Sequence, residues 1–275
     1  MEMTLEKYRQ VYFIGIGGIG MSALARYFNL QGFLVNGYDK TPSPLTDELM
    51  DEDIHVHFDD TGADVLLMVG EPEDTLIIYT PAIPKDHQEL TILQERGYTI
   101  IKRAEALGLI TKFSRGLAVA GTHGKTTTST MLAHLLHETV GCNAFLGGIS
   151  SNYNTNYLSS TNSPFTVIEA DEFDRSFLHL LPYASIITAV DADHLDIYGD
   201  AANFRKGFEA YAKLVEESGY LVVRKGIELE SPAEIFTYAI GEKADYEGSN
   251  LHYENGVFKF DIKTPTDYFM DVDLG

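Results

Sequence analysis

The feature of the sequence that most constrains the fold is the stretch LAVAGTHGKTTTSTM at residues 117–131. Its first four residues are apolar and predict a strand that is buried on both faces. The chain then turns at Gly121 and Gly124 and enters a helix near Lys125 and Thr126. This order of strand, glycine turn, lysine, hydroxyl residue and helix is typical of loops that bind nucleotide phosphates.

Each residue type in this loop has a physical role. Backbone N–H groups and the positive end of the helix face the anion, the lysine reaches the outer phosphates, and the hydroxyl binds Mg²⁺. The spacing differs from the common G-x-x-x-x-G-K-[ST] motif. The first glycine of that motif would stand at position 119, which is Val here, so the matching segment begins only at Gly121. A glycine turn before an ordinary amphipathic helix is the alternative interpretation. The predicted nucleotide-binding residues are Gly121, Thr122, His123, Gly124, Lys125, Thr126 and Thr127.

Composition limits the classes of partner. The net charge of −21 argues against general binding to nucleic acid or to an anionic membrane surface. The single cysteine, Cys142, excludes an internal disulfide and suits a reducing compartment, where we expect it to be a small buried apolar residue. No apolar run approaches the roughly 20 residues that span a bilayer, and the polar amino terminus is not a signal peptide. We therefore expect a cytoplasmic protein with no membrane insertion and no evident obligate protein partner.

The amino-terminal region carries a second glycine-rich turn. An apolar strand at residues 11–14 runs into GIGGIG, so that Gly15, Gly17 and Gly20 match G-x-G-x-x-G, and Asp39 follows the next strand. This pattern is typical of a βαβ unit that binds a dinucleotide. The pattern does not choose between NAD, FAD and a UDP-sugar, since each carries a diphosphate. Asp39 is either a ligand contact or a solvated aspartate.

The same alternation continues to a boundary near residue 112. We predict helices or strands at residues 45–50, 76–79, 91–96, 98–101 and 104–110. The turn Thr80-Pro81-Ala82 follows one of these strands, at the edge where open α/β sheets bind ligands. A polar segment at residues 112–116 separates two βα patterns. We therefore predict two domains, residues 1–112 and 113–275.

Two further strands of the second region end in polar clusters. The strand at residues 165–168 precedes Glu169-Ala170-Asp171-Glu172, and the strand at 184–190 precedes Asp191-Ala192-Asp193-His194. Parallel strands bring such ends to one edge, where Glu169 and His194 could complete the Mg²⁺ shell begun by Thr126. Asp191 and Asp193 could equally cap the following turn.

The last part of the chain changes in character. We predict a helix at 204–216, a strand at 220–223, a hairpin around Asn255-Gly256 and a strand at 268–272. The predicted fold class is α/β: an N-terminal Rossmann-like parallel-sheet domain, then a P-loop-type domain with a small antiparallel sheet near the carboxyl end. The chain stops at Leu274-Gly275 without a cap, and we expect it to be part of a longer protein.

The sequence resembles the Mur ligases of peptidoglycan synthesis over essentially its whole length. The resemblance rests on GIGGIGMSALA at 15–25, AGTHGKTTT at 120–128, EADEFDRSFL at 169–178 and DADHLDIYG at 191–199. The second and third of these are specific for the ligase group. The first indicates the member that adds L-alanine.

This resemblance implies a site for each substrate. The first domain would hold UDP-N-acetylmuramate and the second ATP with Mg²⁺, while a third domain, absent from this chain, would bind the amino acid. Lys125, Glu169 and His194 would be catalytic. Thr126 and Glu169 would bind one Mg²⁺, and Glu169 and His194 a second. The substrate-binding residues would be Gly17, Gly18, Gly20, Asp39, Thr80, Pro81 and Ala82.

The implied reaction is ATP-dependent joining of L-alanine to the lactyl carboxylate of UDP-N-acetylmuramate through an acyl phosphate. We expect the 275-residue chain alone not to ligate efficiently, because the amino-acid domain is missing. Three alternatives stay open: a relative that attaches a whole peptide to the same sugar nucleotide, a nicotinamide oxidoreductase built on GIGGIG, and a P-loop module that hydrolyses ATP without ligation.

Overall fold

The computed structural model describes residues 5–84 and 86–273, which form two compact units. The first unit comprises the chain up to Gly116 together with Thr126–Glu169. The second comprises Leu117–Lys125 together with the chain from Ala170 onward. The domain boundary after residue 112 stays a prediction, and the chain end at Leu274-Gly275 lies outside the described residues.

A five-stranded parallel sheet organises the amino-terminal part of the first unit. Its strands follow the order β3-β2-β1-β4-β5, and every neighbouring pair is parallel. This sheet confirms the predicted Rossmann-like domain. The strands are β1 (Gln10–Ile14), β2 (Leu34–Tyr38), β3 (His55–His57), β4 (Thr75–Tyr79) and β5 (Thr99–Lys102), and the helices are α1 (Ile19–Leu30), α2 (Pro44–Asp51), α3 (Gln88–Glu95) and α4 (Arg103–Lys112). Short 3-10 helices span Leu5–Lys7 and Gly62–Leu67.

The sequence of β1 explains its central position. All five of its residues, QVYFI, are buried, as expected for a strand covered on both faces by helices. Its neighbours β2 and β4 lie on opposite sides, so the connections that leave β1 and β4 diverge at the carboxyl edge. Open α/β sheets bind ligands at such a switch point.

The remaining helices and strands follow along the chain in both units. They are β6 (Arg115–Ala120), α5 (Lys125–His137), β7 (Asn143–Ser150), β8 (Thr155–Leu158), β9 (Phe165–Ala170), β10 (Ala184–Ile187), α6 (Leu195–Tyr198), α7 (Ala201–Ala212), β11 (Tyr220–Arg224), β12 (Glu234–Ile240), β13 (Tyr246–Glu254), β14 (Val257–Lys263) and β15 (Tyr268–Asp273). A further 3-10 helix spans Phe173–His179.

Strand pairing differs between the two units. In the first, β7 pairs with β9 in parallel and with β8 in antiparallel fashion. In the second, β6, β10, β11, β12 and β13 are parallel neighbours, and β13, β14 and β15 form antiparallel pairs. The antiparallel strands near the carboxyl end confirm the predicted mixed architecture, including the hairpin through Asn255 and Gly256.

Three predicted elements have bounds that were wrong by three residues or more. The helix expected at 91–96 is α3, Gln88–Glu95. The helix expected at 204–216 is α7, Ala201–Ala212, because the carboxylate of Asp200 accepts the N–H of Asn203 and starts the helix earlier. The strand expected at 184–190 ends at Ile187, where the chain leaves β10 toward the polar cluster. Among the described helices, none combines the length and the apolarity needed to cross a membrane.

Candidate functional site

The glycine turn after β1 is held by the aspartate at the end of β2. The N–H of Gly17 donates to Oδ2 of Asp39 at 2.7 Å, and the N–H of Thr41 donates to Oδ1 at 3.1 Å. A Cβ added at Gly17 would lie 2.8 Å from Cγ2 of Thr46 and 2.9 Å from the Asp39 carboxylate, so only glycine fits here. Asp39 is therefore a structural part of the loop and not simply a solvated strand end.

A cavity of about 700 Å³ opens beside this turn in the first unit. Of the predicted substrate-binding residues, Gly17, Gly18, Asp39, Thr80 and Ala82 line it, whereas Gly20 and Pro81 do not. A volume of this size suits a small-molecule ligand. The prediction did not include Tyr38, Ser43, Asp60 and His87, which also line the cavity.

In the second unit, the loop after β6 has the conformation that its glycines allow. Gly121 and Gly124 have φ angles of +132° and +80°, a region that favours glycine. The Thr122 hydroxyl accepts the N–H of Asp191 at 2.9 Å, and the Thr188 hydroxyl donates to the carbonyl of His123. The loop between β6 and α5 is therefore fixed by the chain that follows β10.

Lys125, the first residue of α5, makes two polar contacts inside the second unit. Its Nζ donates to the carbonyl of Gly121 at 2.9 Å and lies 2.7 and 2.8 Å from the two carboxylate oxygens of Glu172. Glu172 is buried, with a side chain only 1% exposed. The predicted phosphate-binding lysine is thus paired with a carboxylate that the sequence analysis did not assign to the site.

Thr126 and Glu169, both in the first unit, lie side by side. The Thr126 hydroxyl donates to Oε1 of Glu169 at 3.1 Å. A Cβ at Gly147 would lie 2.0 Å from Oε2 of the same carboxylate, so the glycine gives the carboxylate its space. A hydroxyl and a carboxylate are oxygen ligands of the kind that Mg²⁺ prefers. Thr127, the last predicted residue of the loop, is exposed in the first turn of α5.

His194 belongs to the second unit and lies near two carboxylates there. Its Nε2 is 3.8 Å from Oε1 of Glu172 and 3.9 Å from Oδ2 of Asp193. Asp193 also accepts the N–H of His194 at 2.7 Å, a contact between adjacent residues and not a helix cap. One predicted pair is therefore in contact, Thr126 with Glu169 in the first unit. In the second unit Lys125 and His194 both lie near Glu172, which was not predicted.

A second cavity, of about 440 Å³, opens beside the loop between β6 and α5 in the second unit. His123 and Gly124 line it, as do residues that follow β10 and residues at the carboxyl ends of β11 and β12. Its charged residues are balanced in number, with Arg224 and Lys225 against Asp191 and Glu242. The polar cluster after β10 is visible in the sequence, but no local motif marks the ends of β11 and β12, so the sequence gives no signal for that side of the cavity.

Two family models match the chain in succession. The model described as "Mur ligase family, catalytic domain" matches residues 10–115, and the one described as "Mur ligase middle domain" matches residues 119–274. The second alone accounts for more than half of the chain.

Similar proteins agree with these matches. The chain is 51% identical to UDP-N-acetylmuramate–L-alanine ligase of Parabacteroides distasonis over 99% of its own length and 60% of that protein. It is 52% identical to the ligase of the same name from Porphyromonas gingivalis, over 97% and 60%. The crystal structure of UDP-N-acetylmuramate-alanine ligase from Thermotoga maritima superposes with a TM-score of 0.81 at 28% identity, over 96% of this chain and 60% of that one. The chain therefore spans about 60% of the length of these relatives, and it belongs to the Mur ligase family.

Proposed function

We propose that this chain is the part of a UDP-N-acetylmuramate–L-alanine ligase that binds the sugar nucleotide and ATP. The observation that carries the proposal is the start of α5, where Lys125 and Thr126 follow a glycine loop and contact the carboxylates of Glu172 and Glu169, respectively. Relatives near 50% identity bear the name of the L-alanine ligase, which favours L-alanine over a whole peptide as the added group.

The sugar nucleotide would occupy the 700 Å³ cavity of the first unit. The N-terminus of α1 and the loop N–H groups next to Gly17 and Gly18 would stabilise the diphosphate. Asp39 keeps the loop in shape by accepting the N–H of Gly17. Thr80, Pro81 and Ala82 are proposed to complete the site, although Pro81 does not line the cavity.

ATP would place its outer phosphates against the loop between β6 and α5, where Lys125 supplies positive charge. Thr126 and Glu169 fit Mg²⁺, because a hydroxyl and a carboxylate oxygen lie 3.1 Å apart and Gly147 leaves room beside the carboxylate. The ion would supply charge neutralisation for phosphoryl transfer. His194 is proposed as a further ligand on the family resemblance alone.

The proposed reaction transfers the terminal phosphoryl group of ATP to the lactyl carboxylate, and the amine of L-alanine then displaces phosphate. Lys125 would stabilise charge that develops on the transferring group, an electrostatic role that depends on a fixed position. Its contacts with Gly121 and Glu172 hold Nζ in such a position. The loop N–H groups would bind and orient the remaining phosphate oxygens.

A thermal-shift panel tests the proposal with the 275-residue chain. UDP-N-acetylmuramate and ATP with Mg²⁺ should each raise the melting temperature, because each binds only the folded state. NADH should leave it unchanged. A rise with NADH and none with UDP-N-acetylmuramate would favour the oxidoreductase alternative instead.

A further inference from the structure

Three metal-ligating side chains of the first unit form a cluster for which the proposed reaction has no role. One ligand atom each from Asp60, His87 and Glu89 lies within 4.8 Å of the other two. The side chains of His87 and Glu89 are buried, being 4% and 0% exposed. Asp60 and His87 also line the cavity of about 700 Å³, which gives the cluster a path to solvent.

Hydrogen-bond donors hold both carboxylates in place. Oε1 of Glu89 accepts the N–H and the hydroxyl of Thr61 at 2.9 and 2.8 Å, and Oε2 accepts the hydroxyl of Tyr12 at 2.7 Å. Oδ2 of Asp60 accepts the N–H of Gln88 at 2.8 Å. Because a carboxylate oxygen has two lone pairs, Oε2 of Glu89 and Oδ2 of Asp60 each keep one for a further partner. Donors of this kind orient the carboxylates of metal sites.

The charge of the two carboxylates is poorly balanced. In the described part of the chain, neither forms an ion pair with a lysine or an arginine. The nearest basic groups are two imidazoles: Nε2 of His57 lies 3.7 Å from Oε1 of Glu89, and Nδ1 of His87 lies 3.9 Å from Oδ2 of Asp60. Both distances exceed that of a hydrogen bond, and an imidazole is charged only when protonated. A divalent cation would balance the excess negative charge.

The ring of His87 lacks the hydrogen bonds that a buried imidazole normally makes. Among the described residues, its Nε2 has no hydrogen-bond partner. Its Nδ1 accepts the N–H of Leu90 at 3.4 Å, which is long for a hydrogen bond. The ring packs in a T-shaped arrangement against Tyr38, with 4.6 Å between the centroids. Packing therefore holds a buried ring whose polar atoms are almost unused, as expected of a group that binds an ion.

We propose that Asp60, His87 and Glu89 form a binding site for a divalent transition-metal ion of the Zn²⁺ class. One imidazole nitrogen and two carboxylate oxygens suit Zn²⁺, whereas Mg²⁺ and Ca²⁺ prefer oxygen ligands alone. Bonds of about 2.1 Å place tetrahedral ligand atoms about 3.4 Å apart, so the cluster would contract on binding. The fourth position would be left for water or for an oxygen of a molecule in the cavity. This site goes beyond the proposed function, since no step of the ligase reaction depends on it.

Equilibrium dialysis of the 275-residue chain against Zn²⁺ tests the site, without nucleotide and with millimolar Mg²⁺ to occupy all-oxygen sites. The chain should bind one Zn²⁺ ion that depends on His87. His87→Asn removes the imidazole but leaves a side chain that can cap α3. It should weaken binding at least tenfold, because losing even a partner of a metal ligand typically costs about 10- to 100-fold. With Co²⁺ as a spectroscopic probe, the parent should gain visible absorption that the variant lacks.

The matched control is His55→Asn, which removes the imidazole of an exposed histidine in the same unit and should leave Zn²⁺ binding unchanged. Asp60→Asn, at a position that is 24% exposed, should also weaken binding at least tenfold and carries the test if His87→Asn does not fold. Binding equal to that of the parent in either variant would overturn the inference, and so would an equal loss in His55→Asn. The thermal shift with UDP-N-acetylmuramate, measured in EDTA, decides the proposed function separately.

Discussion

Gly147 lies directly against the carboxylate of Glu169, one of the proposed metal ligands, and leaves no space there for a side chain. A Cβ there would lie 2.0 Å from Oε2 of Glu169 and 2.7 Å from its Cδ, far inside contact distance. Glu169 in turn accepts the hydroxyl of Thr126. Any side chain at position 147 must therefore displace the carboxylate that is proposed to bind Mg²⁺.

We expect Gly147→Ala to weaken binding of ATP with Mg²⁺ by about ten- to a hundredfold, because losing one well-placed charged partner typically costs between about 1.5 and 3 kcal/mol. Calorimetric titration measures the change. The adjacent Gly148→Ala is the matched control, since its Cβ would lie 3.8 Å from the nearest atom, Cγ2 of Thr126, an ordinary contact. Equal effects of the two substitutions would contradict the role given to Glu169.

Cys142 allows a prediction about reactivity. Its side chain is fully buried, its Sγ donates to the carbonyl of Ala133, and burial raises the pKa of the thiol to about 11. Because the thiolate is the reactive form, the thiol should react with a disulfide reagent at pH 8 far more slowly in the folded chain than in guanidinium. Absorbance of the released thiolate follows the reaction. Rapid labelling of the folded chain would show that the residue is accessible.

The sequence could predict Lys125 and Thr126 because a phosphate loop is a local pattern. It could not predict the partner of Lys125, because Glu172 lies 47 positions away and the three acids in EADE are equally plausible in sequence. Only the turn that begins at Asp171 decides which carboxylate faces the lysine. Residue types near a strand end are therefore predictable, whereas their assignment to one another depends on tertiary structure.

At the scale of elements, α1 and the strand β8 are joined by a buried polar network in the first unit. Asn156 of β8 is fully buried and donates to the carbonyl of Ile19 at 2.6 Å and to the hydroxyl of Ser22 at 2.8 Å. Its own carbonyl oxygen accepts Nη1 of Arg26. Arg26 also pairs with Glu48 and Glu52 of the chain around α2. The helix that begins after the glycine turn of β1 is thereby fixed to a strand 130 residues later.

Asn156→Ala should lower the free energy of unfolding by about 2 kcal/mol, because it removes the acceptor of a buried hydrogen bond from the charged Arg26 guanidinium group. A denaturant titration followed by circular dichroism measures this loss. Asn162→Ala, at an exposed position, should change stability by less than about 0.5 kcal/mol. A neutral result for Asn156→Ala would show that solvent replaces the lost hydrogen bonds.

The elements that the sequence predicted best are those with strong periodicity or a turn signal. The β1–α1–β2 unit and the β13–β14 hairpin belong to this group, and Asn255 and Gly256 have the positive φ angles, 50° and 92°, that such a tight turn requires. The strands β3, β7, β8 and β12 were not predicted. Two glycines interrupt β7, β3 and β8 have only three and four residues, and β12 is half-exposed, so none of them gives a clear periodic signal.

At the scale of the whole molecule, charge dominates the approach of ligands. The chain has 41 acidic and 20 basic residues, which give a net charge of −21. ATP is also an anion, so the long-range field opposes its arrival. The cavity beside the phosphate loop does not reverse this, because its two basic and two acidic side chains balance each other. Binding must depend on short-range contacts within the loop.

The net negative charge predicts that the association rate of ATP depends on the salt concentration. The association rate of ATP at fixed Mg²⁺ should rise as ionic strength increases from about 0.02 to 0.2 M, because screening weakens repulsion between like charges beyond a Debye length of about 10 Å. Stopped-flow fluorescence with a labelled nucleotide measures the rate. Uncharged adenosine is the control and should show no dependence. A rate for ATP that falls with salt would mean that a local positive potential steers the nucleotide, and the global charge would then not govern its approach.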